Sequence, residues 1–397
     1  MPAMSTLPLE GITVVALEQA VAAPFATRQL ADLGARVIKI ERPGAGDFAR
    51  GYDTTVRGAS SHFTWLNRSK ESLTLDIKRP EAADVLPRLL ARADVFIHNL
   101  APGAVDRLGL DSASLRARFT RLIICAISGY GSSGPYERKK AYDLLVQGET
   151  GFLSITGTAD SPAKAGLSIA DIAGGMYAYS GVLSALLLRQ KTGVGAVLDI
   201  SLLEALGEWM GYPAYYTMYG GSAPPRTGAS HATIAPYGPF RAGDGHAVYL
   251  GVQNDREWRR FCDIVLARPE VGGDQRFVSN AQRVEHREAL HAIVDDVFSH
   301  LSATTITERL ERADIANGRM NTVQEFVDHP QLSARNRWRD IQSPVGTLRA
   351  LVPPATIAGV EPVMNPIPSV GEQTDAILGE LGFDRDTVAT WRGAGVI

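Results

Sequence analysis

What most constrains this chain is the alternation of short β-branched runs with helical stretches. Ile12–Leu17 reads as a buried strand, and Ala22–Leu33 as a helix whose first turn tolerates Pro24. Gly34 stops that helix, and Ala35–Ile40 reads as a second strand. Two strands joined by a helix of this length pair in parallel, with the helix on one face, so the chain begins a parallel α/β sheet. The pattern continues through a strand at Leu73–Asp76, a helix from Pro80 to Arg92, strands at Asp94–His98 and Leu122–Ser128, a helix over 172–190 and a strand at Ala196–Ile200. A dinucleotide fold of the usual kind needs a glycine fingerprint after the first strand. Here that turn is Glu18-Gln19-Ala20-Val21-Ala22-Ala23-Pro24, without a glycine, which disfavours NAD despite the topology.

The character changes at Gly220-Gly221-Ser222-Ala223-Pro224-Pro225-Arg226-Thr227-Gly228, a run of turn formers. Beyond it, strand-like pieces at Tyr237–Arg241 and Ala247–Val252 precede helical stretches over 255–267, 284–300 and 303–313, an α+β pattern. The tail is extended and proline-rich, with a last helix near Asp375–Leu381. The expected layout is a large domain over 1–205, a linker over 206–227, a small α+β domain over 228–335, and a return to the large domain over 336–397. A length of 397 residues, 45% of them hydrophobic, suits such a pair of domains, and a net charge of −3 gives no basic surface for nucleic acid. Two distant cysteines, Cys125 and Cys262, form no metal or disulfide framework, and the eight histidines show no ligand spacing, so no metal site is expected. The polar start, without a signal-peptide core, and an apolar run at 176–188 too short for a bilayer lead to the expectation of a cytoplasmic protein that does not enter membranes.

One stretch carries an isolated acid. In Gly166-Leu167-Ser168-Ile169-Ala170-Asp171-Ile172-Ala173-Gly174-Gly175, Asp171 stands among small and apolar residues at the start of a long apolar helix. It could cap that helix. It could equally be a reacting carboxylate, with Ala170, Ala173, Gly174 and Gly175 giving a bulky substrate room to approach.

Several further motifs carry a resemblance. Leu33-Gly34-Ala35-Arg36-Val37-Ile38-Lys39-Ile40-Glu41-Arg42-Pro43 is followed by Gly44, Gly46 and Asp47. Asn67-Arg68-Ser69-Lys70-Glu71-Ser72-Leu73-Thr74-Leu75-Asp76 comes next, then Asn99-Leu100-Ala101-Pro102-Gly103 with Arg107-Leu108-Gly109, and then Ser128-Gly129-Tyr130-Gly131 with Gly134-Pro135-Tyr136. In this order, over nearly the whole chain, they resemble the class III CoA-transferases, the CaiB/BaiF family. The resemblance implies a Rossmann-like large domain built from both chain ends, a smaller inserted domain, and an interlocked homodimer. It also implies coenzyme A or an acyl-CoA as substrate, a small carboxylic acid as second substrate, and no tightly bound cofactor.

Carried onto this chain, the resemblance makes Asp171 the catalytic aspartate and brings Gln19, Ala20 and Val21 close to the thioester. Gln19 either donates to an oxyanion or caps the following helix. Arg42, Leu75, Lys78, Asn99, Leu100, Arg107 and Lys140 match positions that contact CoA, with Lys139 an equal candidate beside Lys140. Leu75 and Leu100 read as core by general rule. Tyr142 stands where related racemases carry a histidine, and a tyrosine of ordinary pKa is a poor base for an α-carbon at neutral pH. Gly251 begins Gly251-Val252-Gln253-Asn254, where relatives have a mobile glycine-rich loop. Arg226 and His231 either shape their loop or hold a second carboxylate. The implied reaction moves CoA from an acyl-CoA such as succinyl-CoA to a short dicarboxylic acid of the itaconate, mesaconate or citramalate type. An intramolecular mesaconyl-CoA transferase, a 2-methylacyl-CoA racemase and a non-catalytic CoA-binding protein are the alternatives.

Overall fold

The computed structural model describes residues 7–397. The chain forms two compact units. The first takes the chain up to Thr150, Ala165–Met210 and Gln331–Ile397; the second takes Gly151–Lys164 and Gly211–Pro330.

In chain order the first part runs β1 (Thr13–Leu17), α1 (Ala22–Asp32), β2 (Arg36–Glu41), α2 (Ser61–Leu66), β3 (Lys70–Thr74), α3 (Ala82–Leu90), β4 (Val95–His98), α4 (Ala104–Arg107), α5 (Ser112–Arg118), β5 (Ile123–Ser128), α6 (Asp143–Glu149), α7 (Phe152–Ile155, in the second unit), α8 (Ile169–Thr192), β6 (Val197–Ser201) and α9 (Leu202–Trp209). The six strands form one parallel sheet in the order β3-β2-β1-β4-β5-β6. The order reverses between β1 and β4, and open α/β sheets bind ligands in the crevice beyond the strand ends at such a point. β1 and β4 are almost wholly apolar and buried on both faces, as parallel strands between helix layers must be. The tail covers one face: Ile377, Leu378, Leu381, Val388, Val396 and Ile397 join the core formed by Val15, Ile38, Leu73, Phe96 and Ile124.

β3 begins at Lys70, three residues before the expected Leu73. A lysine and two serine or glutamate neighbours hide the strand from a hydrophobicity reading, but Lys70 is buried against a carboxylate. The expected linker over 206–227 is largely helical. α9 runs to Trp209, and α10 (Gly211–Gly220) follows directly, leaving irregular chain only from Gly221. α8 spans 24 residues and is the one helix among the described residues long and apolar enough to cross a membrane. It packs instead against α1, α9, β5 and β6, carries Asp171 in its first turn and Arg189 and Lys191 in its last, and stops at Gly193 in the left-handed region, φ 74°.

The second unit has its own core, formed by Phe240, Trp258, Phe261, Phe277, Leu290 and Phe298. A three-stranded antiparallel sheet of β7 (Tyr237–Arg241), β8 (Ala247–Gly251) and β9 (Ala316–Gly318) packs there with helices over Arg287–Phe298 and Ala303–Arg312. The segment 151–164 belongs here rather than to the sheet unit, because Arg226 and Gly228 hydrogen-bond to its backbone.

Candidate active site

The site begins at the turn between β1 and α1. Ala20 sits at φ 61°, an unfavourable conformation for a residue with a Cβ. Three contacts hold it there. The Asn99 side chain, just past β4, accepts from the Gln19 N–H (2.9 Å) and donates to the Gln19 carbonyl (2.8 Å). The Ala20 N–H donates to Asp47 Oδ1 (3.3 Å). Asn99, expected to contact the nucleotide, therefore ties the two strands flanking the switch point together. The Gln19 side chain makes no hydrogen bond among the described residues and caps nothing, which leaves its amide open toward the crevice.

Behind this turn lies a buried ionic cluster. Lys39 Nζ bonds Asp47 (2.8 Å) and Glu18 (3.3 Å), and Lys70 Nζ bonds Glu18 (2.6 Å) and Asn67 (3.0 Å). Glu41 accepts from Arg50 at 2.7 and 2.8 Å and from the Asp47 N–H. Burial alone would neutralise Glu18, but the Lys70 and Lys39 ammoniums hold its carboxyl below the usual range. Burial lowers Lys70 to about 8. Such a cluster survives only because every member is paired. The motif around Asn67 and Lys70 is thus a brace under the β1–α1 turn.

A small cleft opens beside this brace, lined by Gln19, Arg42, Asp47, Leu75, Ile77 and Leu100 among others. Arg42 stands exposed at its rim, and Leu75 belongs to the hydrophobic core while also forming part of the cleft wall.

Asp171 occupies the first turn of α8 without capping it. Asp143, from the first turn of α6, does that: its Oδ1 accepts from the N–H groups of Ala170 (2.8 Å) and Asp171 (3.3 Å). Its other oxygen accepts from Gln147 (2.6 Å), which in turn accepts from the Ala165 N–H. The helix N–H groups being satisfied from outside, no donor among the described residues reaches the Asp171 carboxylate. Burial, and then the like charge of Asp143, push its pKa up to about 7. The glycines after it do not make room for substrate. A Cβ on Gly175 would stand 2.6 Å from the Ala22 carbonyl oxygen, and one on Gly174 2.4 Å from Leu202, so both serve close packing of α8 on α1 and α9. Tyr52 stands close enough for Asp47, Asp171 and Tyr142 to act on its phenol, which burial first, and then these groups, raise to about 12. A desolvated, unbonded carboxylate beside a ligand crevice is equipped to attack a carbonyl carbon.

The sequence profile of CoA-transferase family III matches residues 9–374. The chain belongs to CoA-transferase family III. It is 34% identical to a succinate–glutarate CoA-transferase of Agrobacterium fabrum over 384 residues, covering 94% of this chain and 96% of the relative. It is 35% identical to an acetyl-CoA:oxalate CoA-transferase of Acetobacter aceti over 337 residues, covering 84% and 86%. A crystal structure of a CaiB/BaiF family protein from Brucella suis superposes with a TM-score of 0.82 at 32% identity, covering 95% of this chain and all of the other. As a member of family III the protein is an acyl-CoA:carboxylate CoA-transferase, with CoA thioesters as its substrates.

The remaining family III positions divide. Lys78, Arg107 and Lys140 are exposed and make no ion pair among the described residues. Lys139 is engaged with Glu149 and lies over the rings of Tyr136 (4.1 Å) and Tyr130 (5.1 Å), which leaves Lys140 the freer of the two lysines. Tyr142 precedes α6 and is 73% exposed. Ala20 and Val21 form the braced turn itself.

Arg226, His231 and Gly251 lie in the second unit, and the contacts of the first two are those of the loop-shaping alternative. Arg226 donates to the carbonyls of Thr158 (2.8 Å), Ala159 (2.7 Å) and Ser154 (3.3 Å), so its guanidinium closes a turn. The His231 ring stacks on Tyr237 (5.1 Å), and its Nδ1 accepts from the Thr233 N–H; burial, and then Arg287, lower its pKa. A histidine held neutral is a weak partner for an anion. Gly251 ends β8, and a Cβ there would meet the Tyr237 ring at 3.2 Å. Val252 after it is buried, and Asn254 caps the helix Asp255–Arg260, so this stretch is a braced turn rather than a loose glycine loop. Sequence reasoning missed Asp143 and Tyr52 as site residues. Asp143 was visible only as the companion of Tyr142, and Tyr52 only as part of a motif.

Proposed function

We propose that the protein transfers CoA from a dicarboxylic acyl-CoA, such as succinyl-CoA, to a short dicarboxylic acid, with Asp171 as nucleophile. The observation that carries this reading is the Asp171 carboxylate: desolvated, unbonded, and placed on a helix whose N-terminus a second acid already caps. The Asp171 carboxylate attacks the thioester carbonyl, the C–S bond breaks, and CoA leaves as thiolate from an aspartyl–acyl anhydride. The thiolate attacks the aspartyl carbonyl, releases the donor acid as a carboxylate, and leaves an aspartyl–CoA thioester. The acceptor carboxylate attacks that carbonyl and expels the thiolate again. The thiolate then attacks the acceptor's carbonyl and regenerates the Asp171 carboxylate. No proton is gained or lost over the cycle. In this reading the Gln19 amide, which lines the cleft, donates to the carbonyl oxygen as negative charge develops there. Arg42, Lys78, Arg107 and Lys140 supply the cations a nucleotide diphosphate requires. Acceptors of the glutarate, itaconate, mesaconate and citramalate size suit the dicarboxylate chemistry named for the relatives.

The working form we propose is a homodimer in the cytoplasm. Leu187, Leu188, Trp209, Tyr212, Tyr215 and Tyr219 are each at least 45% exposed, apolar surface of the kind a second copy would cover. Both cysteines are free and buried. Hydroxylamine added after an acyl-CoA should convert Asp171 to its hydroxamate, detected by mass spectrometry. Asp171→Ala should lower turnover on the order of 10⁴-fold or more with folding intact. Normal turnover in that variant would end this mechanism.

A further inference from the structure

Gln147 is the one polar side chain of α6 that is fully buried, and both ends of its amide are used. Its Nε2 donates to Asp143 Oδ2 (2.6 Å), one helical turn back, and its Oε1 accepts from the Ala165 N–H (3.0 Å). The amide cannot be turned round, because its oxygen would then face a carboxylate and its amino group a backbone N–H. A glutamate there would face a second carboxylate, and an apolar side chain would leave both partners unmet. Ala165 is where the chain rejoins the sheet unit after the segment 151–164, shortly before Asp171. The same amide fixes how the Asp143 oxygens are divided. With Oδ2 held by Gln147, Oδ1 is left to receive the N–H groups of Ala170 and Asp171 at the head of α8. Two links that place Asp171 therefore pass through one side chain: the cap on its own N–H, and the entry of the segment that leads to it. α6 packs on α8 and α9. Asp171 is the group of α8 whose ionisation feels Asp143. Glu204 and Glu208 of α9 are exposed, with Glu204 bonded to the Ser201 hydroxyl (2.8 Å), and Glu149 of α6 itself is engaged with Lys139.

We propose that Gln147 is a positioning residue for the transfer: through Asp143 and Ala165 it sets the place of the Asp171 carboxylate without touching substrate. This rests on Asp171 being the nucleophile. The readout is steady-state CoA transfer from succinyl-CoA to glutarate by the intact enzyme, followed from about pH 6 to about pH 9. Gln147→Met keeps the volume but offers neither bond, and it should lower kcat about ten- to a hundredfold with the KM for succinyl-CoA little changed. Gln147→Glu keeps the acceptor for Ala165 and sets a second carboxyl against Asp143. While the two carboxyls share a proton the contact survives. As pH rises and that proton leaves, two negative charges stand together and Asp143 is driven off α8. Turnover of this variant should therefore fall at alkaline pH relative to the wild type. Exchanging the partners, Asp143→Asn together with Gln147→Glu, lets the introduced amide donate to the introduced carboxylate while its oxygen still caps α8. The exchange should abolish the alkaline fall and recover most of the lost kcat. A purely structural role would cost stability and active enzyme without bending the pH profile. A Gln147→Glu profile parallel to the wild type, or an exchange that rescues nothing, would therefore overturn the assignment. Should Gln147→Glu fail to fold, Gln147→Met decides it: an unchanged kcat per folded molecule, or a loss through KM alone, overturns the assignment as well. Hydroxylamine trapping on the wild type separates the two readings. An Asp171 hydroxamate alongside unmoved variants removes Gln147 alone, whereas no Asp171 hydroxamate removes the nucleophile and this role with it.

Discussion

Asp171 and Asp143 act as a pair of carboxylates given opposite work. Asp143 accepts two N–H groups of α8 and a glutamine amide, whereas Asp171 has no donor among the described residues and sits in its neighbour's field. A pKa near 7 has a definite kinetic consequence. Below it the Asp171 carboxyl is protonated and cannot attack, so kcat/KM should rise with pH through about 7 and level off above. Asp143→Asn keeps an oxygen acceptor for the cap but removes the like charge. The acid limb should then move to lower pH, and activity at pH 6 relative to pH 8 should increase. A pH profile of the variant superposable on the wild type would show that burial alone sets the Asp171 ionisation. Asp171 itself is conspicuous in the sequence as an isolated acid in an apolar run. Whether it caps the helix is not legible there, because the competing cap is supplied from α6, more than twenty residues earlier.

At the scale of elements, the α1–α8 contact decides how close Asp171 stands to the β1–α1 turn. Gly175 lets the two helix backbones approach, and the methyl of an alanine would press on the Ala22 carbonyl oxygen at 2.6 Å. Backbone on both sides cannot yield cheaply, so Gly175→Ala should cost about 1–3 kcal/mol, read as a lower midpoint in urea. It should also slow hydroxamate formation, because α8 must slide relative to Ala20. A variant as stable and as fast as the wild type would mean the helices relax freely. The sheet strands were readable as runs of Val, Ile and Leu, within a residue or so of their ends. β3 was not, since its first residue is a buried lysine, and α10 was not, since its two flanking glycines and its tyrosines mimic a turn-rich linker.

Across the molecule, the β1–α1 turn depends on residues from β2, β3, the segment after β2 and the end of β4. Lys70→Met tests that dependence: it leaves Glu18 with one ammonium, Lys39, and the Thr27 hydroxyl, and strands Asn67 Oδ1. Removing one member of a buried ionic cluster costs about 3–5 kcal/mol, so the variant should melt well below the wild type, and the Ala20 conformation should relax with loss of acyl-CoA affinity. An unaltered melting temperature would show that the cluster does not brace the turn. The sequence by itself determined the parallel α/β sheet, the absence of a glycine fingerprint, the family resemblance and the position of the isolated acid at the head of α8, because hydrophobic periodicity and ordered motifs are properties of the chain read along its length. Only the tertiary structure decided that Asn99 and Lys70 are braces, that Gly174 and Gly175 are packing contacts, that Arg226 closes a turn, and that Asp143 and Tyr52 stand beside Asp171. Each of these depends on which distant groups burial brings within about 3 Å of a donor or a charge, and that distance is not written in sequence separation.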